Sequence, residues 1–224
     1  MYATTYKSTS EIIDAMNRVY GNMFLAVVNS MVVSFIVSSS PALMAFLFTG
    51  AMKWIVLFAP LVAVFAIGMN MHKVSRTNAQ LMLHGFAALM GLSFATIFIV
   101  YQIGSIVLAF MGAAVLFGTM SLYGYVTKRD LTSIGQFMFV GLIAIIIASI
   151  VNIFIGSTVT QMVISALAVV IFLGLTAYDT QKIREMVQVE GSNGNAEVSG
   201  ALTLYLDFIN LFIALLQLFG SRKD

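Results

Sequence analysis

LTLYLDFINLFIALLQLFG, residues 202–220, decides how this chain is read. A run of about 20 mostly apolar residues is long enough to cross the hydrocarbon core of a bilayer as one helix, yet Asp207 lies inside it. A second acid, Asp179, closes another apolar run in GLTAYDTQKIREM, residues 174–186. These two read as the only carboxylates embedded in the long apolar stretches. An acid in a membrane span is costly unless it pairs or lines a wet cavity, so it is a functional residue until shown otherwise.

The rest of the composition agrees with a membrane setting. Of the 224 residues, 60% are hydrophobic and 9% charged, with a mean hydropathy of +1.00, whereas an ordinary soluble domain is about 25% charged. Hydrophobic spans use up nearly the whole chain, which leaves one membrane domain and no separate soluble one. The absence of Cys excludes disulfides and thiolate chemistry, and two His are too few for an all-histidine metal site. No cofactor is expected. A net charge of +2 gives no footprint for nucleic acid.

Seven stretches qualify as spans: 20–39, 51–71, 79–101, 104–126, 134–156, 159–179 and 201–219. The expected architecture is all-α, a polytopic bundle of seven transmembrane helices with the last near the bundle centre. Residues 1–19 read as a cytoplasmic N-terminal segment, 20–220 as the membrane domain and 221–224 as a tail. The first span follows a polar, mixed-charge stretch and has no small-residue cleavage site, so it is an uncleaved span and not a signal peptide. Residues 42–50 are apolar but short and read as an interfacial segment. Pro60 falls within the second span, where neighbouring helices can re-satisfy the backbone.

With seven spans the termini lie on opposite faces. One face receives Lys7, Arg18, Lys73, Arg76, Lys128, Arg129, Lys182 and Arg184; the other receives Lys53, Arg222 and Lys223. The positive-inside rule then puts the N-terminus in the cytoplasm. Six spans with a re-entrant last segment satisfy the same bias.

This topology brings Asp179, at the cytoplasmic end of the sixth span, level with Asp207, roughly 10 Å into the seventh. At 100° per residue, Thr203, Asp207, Asn210, Ala214 and Gln217 share one stripe of the seventh helix, and Gln161, Ser165, Thr176 and Asp179 one side of the sixth. Such stripes face each other or a wet path, or they are the packing glue common between helices in lipid. Two close carboxylates in a low-dielectric site repel when both are ionised, so the pair is expected to hold a proton toward neutral pH and to sense pH. Deprotonated, it offers hard oxygen ligands to a divalent cation. Ca²⁺ takes six to eight oxygens, so two Asp suit passage or transient binding, not storage.

Three blocks carry a family resemblance: SLYGYVTKRDLTSIG (121–135), LTAYDTQKIREM (175–186) and GALTLYLDFINLFIALLQLFG (200–220). With them the chain resembles the Bax inhibitor family, and within it the bacterial inner-membrane members. The resemblance implies a seven-helix protein that leaks Ca²⁺ in a pH-sensitive way through a paired-aspartate sensor, with Asp179 and Asp207 on the two motif positions. It implies calcium ions and protons as partners within a lipid bilayer, and an inner-membrane location. In some bacterial relatives an arginine at the end of the second span latches onto the sixth-span aspartate. Here the chain reads GMNMHKVSR (68–76), with Asn70 or Met71 at that place. Lys73 and Arg76 are the candidate substitutes for the latch, and solvated positive-inside charge is the competing account of both.

His84, six residues into the third span, is at the depth of Asp207 and could tune the pair; such a histidine is more often a core residue bonded to a backbone carbonyl. Asn152 reads as an interhelical hydrogen-bonding residue and Trp54 as an interfacial anchor. The leading functional expectation is a pH-sensitive cation leak. The alternative is a non-conducting membrane regulator that binds a membrane protease or a cell-death factor. An aspartyl-protease reading fits poorly, because no glycine precedes Asp207, and the chain is not expected to be an enzyme.

Overall fold

The computed structural model describes residues 7–189 and 195–223, the His72 side chain apart. In chain order the helices are α1 (Thr9–Ser38), α2 (Pro41–Phe48), α3 (Met52–Asn70), α4 (Arg76–Phe94), α5 (Ile97–Val100), α6 (Ile103–Val126), α7 (Thr132–Ile155), α8 (Thr158–Gln188) and α9 (Asn195–Phe219), with one 3-10 turn at Met71–Lys73. No strand occurs among the described residues. Counting α4 with α5, seven segments are long and apolar enough to cross a membrane. The expected all-α, seven-span architecture is what the chain forms.

Three boundaries differ from expectation, each for a local reason. Helix α1 begins at Thr9 and not near residue 20, because Ser8 and Glu11 form a capping box: the Ser8 amide donates to Glu11 Oε2 at 2.8 Å and the Glu11 amide to Ser8 Oγ at 3.4 Å. Residues 42–50 are mostly taken up by α2, started by Ser40 as N-cap and Pro41 in the first turn, and none of its residues is buried. Helix α8 runs on to Gln188 and α9 starts at Asn195, so most of the polar stretch expected as a loop at 185–200 is helical. Helix α9 is a single run of 25 residues, about 37 Å long, so a re-entrant last segment is ruled out.

Burial varies as lipid would require. In the apolar window of α7 only 11% of residues are buried, with Phe137 and Phe154 at 73% and 85% exposure, whereas 61% are buried in α9. An apolar face of that kind is unstable in water and suited to acyl chains. Helix α9 is the most covered of the seven spans.

The chain divides into two compact units, interleaved in sequence. The first comprises Met1–Tyr101, Met186–Tyr205 and Lys223–Asp224. In it α4 packs against α1 and α3, and fully buried Ala15, Ala26, Ala79 and Ala87 let backbones approach closely. Tyr205, with no exposed surface, stacks edge-on against Phe86 at 5.9 Å. Its hydroxyl lies 2.6 Å from Ser30 Oγ, and Ser30 Oγ lies 2.7 Å from the Ala87 carbonyl. Ser30 has one proton, so when Ser30 donates to Ala87, Tyr205 donates to Ser30.

The second unit comprises Gln102–Glu185 and Leu206–Arg222. Phe208 of α9 meets Phe110 and Phe117 of α6 at 5.3 and 5.7 Å, both edge-on, a geometry that adds to simple area burial. Two glycines bring the other helices onto α8. A Cβ on Gly124 would collide with the Ala177 carbonyl, and one on Gly135 with the Tyr178 ring. Both contacts fall just before Asp179, so α8 is held between α6 and α7 at the acid itself.

Candidate functional site

Asp179 on α8 and Asp207 on α9 both belong to the second unit, and their carboxyl groups are hydrogen-bonding neighbours. The antiparallel register expected from the two spans therefore brings the acids side by side. Asp207 is 4% exposed, and its Oδ2 is buried with no hydrogen-bond partner. Among the described residues neither acid is in an ion pair: the three that occur are Arg18–Glu197, Arg76–Glu197 and Lys182–Glu185.

The cations nearest in sequence are engaged elsewhere. Lys182 donates to Glu185 at 2.9 Å and lies over the Tyr178 ring at 5.9 Å. Arg184 donates to the Tyr125 carbonyl and stacks on that ring. Around the pair, Thr180 shares a 3.0 Å hydrogen bond with Ser121, and buried Gln181 accepts from the Leu131 amide and donates to the Arg129 carbonyl. This part of α8 is fixed to α6 and to the α6–α7 turn, so Asp179 sits on a rigid element.

The other expected site residues divide clearly. Gln217 crosses between helices: its Oε1 accepts from Gln161 Nε2 and from Ser165 Oγ, both at 3.0 Å. It ties the far end of α8 to α9. Thr176, Thr203 and Asn210 instead donate to the carbonyls of Phe172, Ser199 and Leu206, each one turn back on its own helix. Such bonds satisfy polar side chains within lipid-facing bundles without any partner helix. His84 is half-buried and belongs to the first unit, where its backbone carbonyl accepts from Asn29 Nδ2 at 2.8 Å. Asn152 organises the turn into α8, donating to the Ser157 carbonyl and accepting from the Ser157 amide. No group of three or more His, Cys, Asp or Glu among the described residues could hold a metal ion.

Of the two candidate latch residues, Lys73 is exposed and takes part in none of the ion pairs among the described residues, and Arg76 pairs with Glu197 at 2.7 Å. Arg18 meets the same carboxylate through Nε at 2.9 Å and Nη2 at 2.7 Å. Glu197 is 4% exposed. It is a third embedded acid, in a stretch whose Gly- and Asn-rich composition predicts a loop. Asn195, two residues earlier, donates to the carbonyls of Met71 and Val74 and stitches the start of α9 to the turn between α3 and α4. An Asn followed closely by Glu ahead of an apolar run is a helix-start signal, and it was available in NAEVSGALTLYL.

The sequence profile described as "Inhibitor of apoptosis-promoting Bax1" matches residues 13–224. Among curated proteins, the chain is 39% identical to the inner membrane protein YbhL of Escherichia coli K12, over 93% of this chain and 92% of that one. It is 38% identical to the uncharacterized protein RP147 of Rickettsia prowazekii, over 93% and 90%. An uncharacterized protein of Borreliella burgdorferi is 39% identical over 92% and 91%.

Proposed function

We propose, for a chain that belongs to the Bax inhibitor family, that it is a pH-sensitive cation leak, with Ca²⁺ as the ion carried and the Asp179–Asp207 pair as its sensor. The observation that carries the reading is a pair of carboxyls in no ion pair among the described residues, Asp179 half-buried and Asp207 buried, with one Asp207 oxygen lacking a hydrogen-bond partner. Such a pair has two inexpensive states. A single proton held between the acids removes the repulsion and lets one carboxyl donate to the other. A divalent cation does the same by charge, using both sets of oxygens.

The two states exclude each other, so protons and Ca²⁺ compete, and the helices that carry the acids respond to which is bound. With two protein carboxylates, the cation keeps most of its water and binds transiently, as passage requires. The protein is an integral membrane protein; placement in a bacterial inner membrane with a cytoplasmic N-terminus completes the proposal, by analogy with YbhL and by the positive-inside count. Transport, not catalysis, is the activity proposed.

The test is reconstitution in liposomes enclosing a Ca²⁺ dye. Wild type should admit Ca²⁺ at a rate that changes severalfold between pH 6 and pH 8, and Asp179→Asn and Asp207→Asn should each abolish the pH dependence. Flux indifferent to both substitutions and to pH would sink the proposal. No flux at all, with a stoichiometric partner retained from native membranes, would favour the non-conducting regulator.

A further inference from the structure

We propose that the Arg18–Glu197–Arg76 cluster of the first unit is a binding site for a phosphate oxyanion, supplied by the headgroup of an anionic phospholipid. The cluster is independent of the aspartate pair and of the leak proposed for it.

Its construction starts with Glu197. This carboxylate is buried to 5% side-chain exposure and uses both oxygens, Oε1 toward Arg18 and Oε2 toward Arg18 and Arg76. It thereby fixes two guanidinium groups that would otherwise be free to roam. The arginine side chains themselves remain 46% and 44% exposed. One carboxylate against two guanidinium groups leaves one positive charge uncompensated. Only three N–H donors of the two arginines are spent on Glu197, whereas each guanidinium carries five. Most of the donors therefore point away from the carboxylate, in the planar forks that match phosphate oxygens.

Position decides which anion. Arg76 is the first residue of α4, and Arg18, the tenth residue of α1, stands just before the apolar run of that helix, so both flank the apolar parts of membrane-spanning helices, where headgroups lie. Arg76 also follows the N-cap Ser75, and the positive end of a helix favours a negative group. One further charge acts on the site: Asp14, one turn before Arg18 and within electrostatic reach of it, weakens the field. Basic groups held at headgroup depth attract anionic lipid at about 1 kcal/mol per charge.

The experiment uses the full chain in non-ionic detergent and native mass spectrometry to count retained lipid. Phosphatidylglycerol should be retained and phosphatidylcholine should not. Glu197→Gln frees donors and adds a unit of positive charge, so it should raise phosphatidylglycerol retention about fivefold. That gain cannot arise from misfolding. The triple variant Arg18→Gln/Arg76→Gln/Glu197→Gln leaves no buried charge unpaired and should lower retention about fivefold below wild type. Unchanged or reduced retention in Glu197→Gln, undiminished retention in the triple variant, or equal retention of phosphatidylcholine each overturns the proposal. Displacement of the lipid by inorganic phosphate at equal concentration assigns the site to the free anion and overturns the lipid as its ligand.

Discussion

Two acidic sites in this chain are both buried and are solved in opposite ways. Glu197 has two arginines and both oxygens satisfied; Asp207 has another carboxyl beside it and an oxygen without a partner. Burying a charge is tolerated when a counter-charge and hydrogen bonds accompany it. The first site meets that condition permanently, and so it is a fixed ionic joint between α1, α4 and α9. The second does not meet it with the groups described around it, and under the proposed function a proton or a cation supplies what is missing. Burial alone therefore does not mark a functional acid; missing compensation does.

The largest effect should come from stripping the joint of its cations. Arg18→Ala with Arg76→Ala leaves Glu197 buried and unpaired, and the cost should be about 3–5 kcal/mol of stability, the range for breaking a buried pair from one side. Denaturation in detergent micelles would measure it. A loss below about 1 kcal/mol would mean that Glu197 reaches water or a proton on its own, and the contrast between the sites would disappear.

A smaller effect of opposite sign is expected at the pair. Asp207→Asn replaces an unsatisfied acid by an amide that can donate to Asp179, which should stabilise the chain by about 1.5–3 kcal/mol, the worth of a hydrogen bond to a charged group. The gain should be greatest at alkaline pH, where two carboxylates would otherwise repel. A stable but unregulated protein is the expected outcome, in keeping with the usual exchange of stability for function at active sites. If Asp207→Asn destabilises instead, Oδ2 of Asp207 already has a partner and the pair is structural.

The difference between the sites also explains what the sequence made legible. Asp179 and Asp207 stand out because each interrupts apolar residues, and the helical period then aligns them with Gln161, Ser165 and Gln217, three residues that do bond across α8 and α9. Glu197 was hidden because its neighbours, GSNGNAEVSG, have the composition of a loop. Its burial comes from Arg18, 179 residues away, and Arg76, 121 residues away, and no local pattern encodes such distant partners. Arg76 illustrates the same point from the other end: its charge and its place near the membrane surface were readable, but its choice of Glu197 over Asp179 was not. On α9, Thr203 and Asn210 return hydrogen bonds to their own backbone, a use that helical periodicity does not distinguish from bonding to a neighbouring helix.

The smallest expected effect concerns a third kind of acid, one that is exposed. Asp130, in the turn between α6 and α7, accepts from the Thr132 amide at 2.8 Å, and the Thr132 hydroxyl followed by that amide hold its carboxyl below the usual carboxylate value of 3.8. A depressed value in the folded state means that the bonds stabilise the turn above about pH 4 and are lost as the pH falls through the folded value. Amide exchange at residues 132–135, corrected for intrinsic rates, should therefore rise in wild type as the pH is lowered toward 3, and in Asp130→Asn it should not change with pH. The turn is bonded to Gln181, two residues beyond Asp179, so acid could in principle reach the pair through it. The comparison separates the routes: Asp130 titrates in the acid range, far below pH 6, so Asp130→Asn should leave the pH 6 to pH 8 profile of Ca²⁺ flux as it is in wild type. A profile altered by Asp130→Asn would move the sensor out of the membrane, to the turn.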